Sequence, residues 1–254
     1  NKIKEIGSTE VDINSYAKFN TFDSTQPIIS QNYTNEVDIM DMVNKSNIRD
    51  CFPSKPEHIT SDKWKKSFPR DYKEVKYSNS NFCGIYLIID LVKEFNNLTL
   101  NLEQVKEDLI EEYNKLTNNL NNQNRFNTIV DILKEEGQVN VKMLKNQILT
   151  LNRMILQDDF YVVNFDLWLL LNRYQIPSIM ISNKTISETR FNHNAFTCYT
   201  KNNEDTYAFI VVPALRIGIV PEYKLIFNNV NNKIKIDKLT EKCLRPIITS
   251  INTY

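Results

Sequence analysis

The stretch SNSNFCGIYLIIDLVKEF, residues 78–95, joins a polar segment to a long apolar run. Serine and asparagine are favoured in turns and at the N-caps of helices. The run that begins at Phe82 is apolar on nearly every face when it is wound as an α-helix, which is typical of a helix surrounded by protein. The stretch therefore predicts a buried central helix over residues 82–95, with Cys83 in its first turn.

The segments around this helix predict an α+β fold with one core. Further helical patterns lie at 102–116, 125–136, 141–156 and 164–174, and strand patterns at 176–182, 195–199, 207–212, 224–227 and 233–236. The strands at 195–199 and 207–212 are expected to form a β-hairpin. Residues 1–75 show weak periodicity and several proline turns. We therefore expect an irregular N-terminal arm over 1–75 and a domain over 76–254, with 222–254 as a candidate extension.

The overall composition excludes several classes of protein. The chain has 254 residues, of which 41% are hydrophobic, and its 31 lysines and arginines balance 31 aspartates and glutamates. Zero net charge gives no reason to expect nucleic acid or an anionic membrane as a partner. No apolar run approaches the roughly 18 residues that span a bilayer. We therefore expect a soluble cytoplasmic protein that binds neither nucleic acid nor membrane; the oligomeric state stays open.

The first residue and the amino-acid usage of the chain give expectations about its origin. The first residue is not methionine, so we expect part of a longer polypeptide. Asparagine, lysine and isoleucine are abundant, which is typical of an AT-rich genome, such as that of a large DNA virus or an intracellular bacterium. In the viral case, the expected location is the host cytoplasm or the virion.

The candidate nucleophiles are the four cysteines, Cys51, Cys83, Cys198 and Cys243. Their scattered positions predict neither a disulfide framework nor a zinc site, and free thiols fit a reducing compartment. Cys83 has the strongest context, because backbone N–H groups at a helix start favour a thiolate and can hold the oxyanion of a substrate carbonyl. Gly84 would let a substrate backbone come close. A plain core cysteine is the alternative interpretation.

The candidate general base is one of only two histidines. His193 precedes the strand pattern at 195 and is placed to take a proton from a thiol. His58 lies in the irregular arm and is a poor candidate. The third, orienting residue stays open among Asn194, Asp205 and Ser80.

This order of residues resembles that of papain-like cysteine proteases, in which a cysteine opens a central helix and a histidine follows at a strand. Residues 148–182 resemble the ovarian-tumour (OTU) branch of these proteases, with FDLWLLL at 165–171 as a helix and IPSIMI at 176–181 as a strand. The resemblance covers about residues 77–212. It implies an OTU-like fold with the central helix packed on a small mixed sheet. It also implies a deubiquitinase that acts on ubiquitin or ubiquitin-like conjugates without a metal or cofactor.

The resemblance also implies roles for the residues at the helix start. Cys83 would be the nucleophile, and the amides around Ser80, Asn81 and Phe82 would hold the oxyanion. The family usually has Asp-Gly-Asn-Cys here, so Ser80 stands in the place of its aspartate.

Two alignments of the histidine region lead to two functions. In the first, Cys83 and His193 form a dyad, with Asn194 as a candidate third member, and the chain is a protease. In the second, Thr206 and Tyr207 occupy the His-Tyr pair of the family. The catalytic base is then missing, and the chain is a catalytically inactive module with a protein-binding or structural role. A related hydrolase with another substrate, such as a polyprotein junction, is a third interpretation.

Overall fold

The structure is a computed structural model that describes residues 53–55, 57–60, 65, 68–78, 80–117, 122–182, 195–197, 206–213, 217–228 and 234–235. Within these residues the helices are α1 (Cys83–Asn96), α2 (Leu102–Thr117), α3 (Asn122–Glu135), α4 (Val141–Lys145), α5 (Leu151–Leu156) and α6 (Asn164–Arg173). The strands are β1 (Glu57–His58), β2 (Lys73–Tyr77), β3 (Ser178–Ser182), β4 (Ala195–Thr197), β5 (Thr206–Val212), β6 (Tyr223–Phe227) and β7 (Ile234–Lys235). The predicted α+β class is confirmed.

The strands form one mixed sheet in the order β1-β2-β6-β5-β3-β4, with β7 paired to the start of β5. Only the β3–β5 pair is parallel among the described strands. The predicted hairpin between 195–199 and 207–212 is wrong, because β4 and β5 both pair with β3, on its opposite sides. The physical reason lies in β3: Ile179, Met180 and Ile181 are all fully buried. A strand that is apolar on both faces belongs inside a sheet.

The two faces of the sheet carry two separate apolar clusters. Ala208, Ile210 and Val212 of β5 join the large cluster formed by the helices. The intervening residues of β5 join a smaller cluster on the other face, which includes Phe68 and Tyr72. The alternation follows from the period of two in a strand. The helices therefore cover one face, and residues from the N-terminal side of β2 cover part of the other.

The predicted domain boundary at 75/76 falls inside β2. This strand pairs along its whole length with β6, which itself lies in the candidate extension 222–254. Residues 57–77 and 223–227 thus contribute strands to the same sheet as β3 and β5.

The helix predictions agree with the structure except at one segment. Residues 141–156 form two short helices, because Gln147 adopts a left-handed backbone with a φ of 58° and ends the first of them. Helix α6 has Val163 at its N-cap. Within the described residues, no helix has the length and apolar character needed to cross a membrane.

Helices α1 and α6 begin at the same end of the sheet. Gly84 lies against Val162, just before α6, and the Asn96 amide donates to Tyr174 O, just after α6, at 2.8 Å. Gly84 also lies against Tyr223, the first residue of β6, and Tyr223 pairs with the last residue of β2, Tyr77. We call this the cysteine end of the sheet; β2, β3 and β5 all finish there.

Candidate active site around Cys83

Cys83 is the first residue of α1 and is fully buried, with none of its surface exposed. It is not part of a disulfide. Its N–H donates to Ser80 O at 3.2 Å, and the N–H of Phe82 donates to Ser80 Oγ at 3.1 Å. The N-cap is Phe82, whose side chain has no hydrogen-bond acceptor. Ser80 therefore closes the turn that leads into the helix, and it already accepts from the Phe82 amide proposed for the oxyanion site.

Gly84 packs closely against Val162 and Tyr223. A Cβ added at this glycine would lie 2.6 Å from Val162 Cβ and 3.2 Å from Tyr223 Cε2. The sequence suggested that Gly84 leaves room for a substrate backbone, but Val162 occupies that side of the helix. The glycine therefore serves the close approach of α1 to the segment that precedes α6.

The turn before Cys83 is tied to the residues that follow α5. Asn81 Nδ2 donates to Asp158 O at 3.1 Å. Lys106 Nζ donates to Gln157 O at 3.1 Å and lies 5.1 Å from the centre of the Phe82 ring. Burial lowers the pKa of Lys106, and the nearby Asp158 partly offsets this effect. Residues 80–82 are thus held by two side chains that reach adjacent carbonyl groups.

A buried polar cluster lies at the start of α6, beside the cysteine end. Asp166 Oδ2 accepts from the N–H of Val163 at 2.9 Å, and the Tyr113 hydroxyl donates to Asp166 Oδ1. Glu136 Oε2 accepts from the N–H of Phe165 at 2.8 Å. Both carboxylates are buried. They satisfy amides that a helix start leaves without intrahelical partners.

Burial dominates the electrostatics of this cluster. It raises the pKa of Asp166 from 3.8 to about 7, although the bonds from Tyr113 and Val163 act in the opposite direction. The pKa of Tyr223 is also raised, first by burial and then by nearby groups that include Asp166 and Cys83. The Tyr223 ring lies against Gly84, and its hydroxyl donates to Val162 O at 2.9 Å. Sequence reasoning missed Asp166; its only signal was a lone acidic residue near the start of an otherwise apolar helix.

The remaining candidate triad residues lie outside the described residues. These are His193, Asn194 and Asp205, and the other cysteines Cys51, Cys198 and Cys243 lie outside them as well. Strand β4 begins directly after Asn194, and its first residue, Ala195, pairs with Ile181 near the end of β3. The strand that follows His193 in the chain thus begins at the cysteine end.

The other histidine, His58, and the Thr206–Tyr207 pair lie far from this end. Thr206 is the first residue of β5, six positions before Val212, which corresponds to about 20 Å at roughly 3.3 Å per residue. His58 pairs with Lys73, the first residue of β2, whereas Tyr77 marks the cysteine end of that strand. Neither the Thr206–Tyr207 pair nor His58 is therefore close to the cysteine.

Comparison of the chain with protein-family models, curated proteins and solved structures found no significant match.

Proposed function

We propose that this chain is an OTU-like, papain-like cysteine protease that cleaves ubiquitin or ubiquitin-like (iso)peptide bonds, with Cys83 as nucleophile and His193 as base. The observation that supports this proposal is the position of Cys83. It opens the buried helix α1 at the same end of the sheet where β4, the strand after His193, begins. A helix start is an environment that stabilises the negative charge of a thiolate and of an oxyanion.

The proposed reaction begins with a proton transfer from Cys83 to His193. His193 accepts the proton of the Cys83 thiol, and the sulfur attacks the scissile carbonyl carbon while the carbonyl oxygen becomes an oxyanion. The amides at the start of α1 hold that oxyanion. The C–N bond then breaks, and the imidazolium protonates the departing amine. His193 next takes a proton from water, which hydrolyses the thioester and releases the carboxylate and the thiol. Asn194 would orient the imidazole.

A second function is favoured by the burial of Cys83. None of the surface of this residue is exposed, and Val162 fills the space beside Gly84. In this arrangement the sulfur does not meet a substrate carbonyl. The same fold would then serve as a catalytically inactive module that binds a protein partner.

The decisive experiment uses ubiquitin that carries a cysteine-reactive group at its C terminus. Wild-type protein is expected to gain the mass of one ubiquitin, and Cys83→Ala is expected to gain none. His193→Gln should slow the reaction by about 100-fold or more, since general-base catalysis contributes typically that much. His58→Gln is the matched control, and it should react at the wild-type rate.

The opposite outcomes separate the two functions. If folded wild-type protein forms no adduct but binds ubiquitin equally well with and without Cys83→Ala, the inactive module is supported. If it neither reacts with ubiquitin nor binds it, both assignments to ubiquitin are wrong.

A further inference from the structure

Access to the Cys83 sulfur requires a change of structure. The residue has no exposed surface, and Gly84 is held against Val162 on one side of the helix start. The turn on the N-terminal side, residues 80–82, is only partly buried. Movement that uncovers the thiol is therefore expected in this turn and not in the body of α1.

Two side chains from different elements restrain this turn. Asn81 reaches Asp158 O from the turn itself, and Lys106 reaches Gln157 O from α2. Lys106 also lies over the ring of Phe82, the residue directly before the cysteine. The two side chains donate to consecutive carbonyl groups, those of Gln157 and Asp158. A movement of residues 157–158 therefore breaks both hydrogen bonds and frees the turn.

The burial of the Lys106 ammonium group favours a contact that can break and form again. Lys106 as a residue is 5% exposed in the folded protein, and its ammonium group contacts the Gln157 carbonyl and the face of the Phe82 ring. Burial of a charge is unfavourable unless strong partners replace water. Opening returns the ammonium group to water, and the hydration that it regains offsets part of the lost contacts.

We propose that Asn81 and Lys106 form a latch that holds residues 80–82 closed and controls access to the Cys83 thiol. Its effect on thiol access does not depend on the proposed function. Its role as a gate that a protein substrate must open does rest on that function.

The test measures alkylation of Cys83 by iodoacetamide in the native protein, with each cysteine followed separately by peptide mass spectrometry. Asn81→Ala and Lys106→Met are expected to speed alkylation of Cys83, each by about threefold to tenfold, since a hydrogen bond of this kind changes an equilibrium by roughly that factor. The double variant should exceed about tenfold. Lys106→Met keeps the apolar stem of the side chain, which preserves its packing.

Matched controls exist for both variants. Asn96→Ala removes the same kind of amide-to-carbonyl contact at the other end of α1, where the bond to Tyr174 O measures 2.8 Å. Lys115→Met removes a lysine from the same helix, α2, that pairs with Glu112. Both controls are expected to leave alkylation of Cys83 within twofold of wild type.

Unfolding in urea completes the test, because global unfolding also exposes a thiol. The latch is supported if Cys83 reacts faster than the global unfolding equilibrium allows and the two latch variants raise that rate. It is overturned if the latch variants match their controls, or if alkylation tracks global unfolding in every variant. Faster alkylation in the latch variants together with no ubiquitin adduct would support the latch and refute the protease.

Discussion

Helices α1 and α6 start at the same end of the sheet, yet their first turns are completed in opposite ways. At α6, the buried carboxylates of Asp166 and Glu136 accept from backbone N–H groups of the first turn. At α1, the side chain of the N-cap Phe82 offers no acceptor, and the uncharged Ser80 accepts from the N–H groups of Phe82 and Cys83. The N–H groups at the start of α6 thus have acceptors from the chain itself. The difference suggests that α6 is a fixed support and that α1 is the helix start suited to an added negative charge.

The support at α6 carries an electrostatic penalty that α1 does not share. Asp166 is fully buried, and burial raises its pKa to about 7. The folded protein therefore favours the protonated carboxyl group below about pH 7. Three measurements test the difference between the two helix starts.

The largest expected effect comes from Asp166→Ala at pH 6. The N–H of Val163 and the hydroxyl of Tyr113 would both lose their acceptor in a buried site. Leaving two buried donors unsatisfied is expected to lower the free energy of unfolding by about 3 kcal/mol. Urea unfolding followed by circular dichroism measures this change. Asp166→Asn, which keeps an acceptor, should lose less than half as much. An alanine variant as stable as wild type would show that the carboxyl group does not support α6.

A smaller loss is expected from Gly84→Ala at the start of α1. The new Cβ would lie 2.6 Å from Val162 Cβ, so one of the two segments must shift. Overpacking of this kind is expected to lower the free energy of unfolding by about 2 kcal/mol, even though alanine is the better helix former. The double variant Gly84→Ala, Val162→Ala provides the control, and it should lose less than the sum of the single changes. Additive losses would mean that the two residues do not meet.

The smallest expected effect is a slope in the pH dependence of stability. The pKa of Asp166 rises on folding from 3.8 to about 7, so the folded state holds a proton that the unfolded state has released between these values. Its stabilising contribution is complete below the unfolded pKa and is lost as pH rises through the folded pKa. The difference in unfolding free energy between wild type and Asp166→Asn should therefore fall by about 1 kcal/mol per pH unit from pH 5 to 6. Parallel curves for the two proteins would contradict the raised pKa.

The local elements were predictable because their signals lie in neighbouring residues. The apolar run after Asn81 predicts α1, and the run from Phe165 predicts α6, each with ends close to those observed. The pairing of β4 and β5 was not predictable in the same way. Their closeness in the chain favoured a hairpin, but β3, buried on both faces, takes the position between them. Strand partners depend on which faces the rest of the fold covers.

The candidate site likewise has features that the sequence predicts and features that it does not. The sequence places Cys83 at a helix start, which the structure confirms, but it says nothing of the complete burial of that residue. Asp166 was overlooked because its partner Tyr113 lies 53 residues earlier in the chain. The raised pKa of Asp166 and its contact with the start of α6 both depend on residues that come together only in the folded protein.

Local patterns in the sequence were enough to locate the helices, most strands and the residue that opens α1, because helix and strand periodicity are properties of short segments. Only the tertiary structure decided that α1 and α6 begin at one end of the sheet, that Val162 closes the side of Gly84, and that two carboxylates are buried at α6. These features join segments that are far apart in the chain. The free energy of burial and hydrogen bonding that establishes them exists only when those segments pack together.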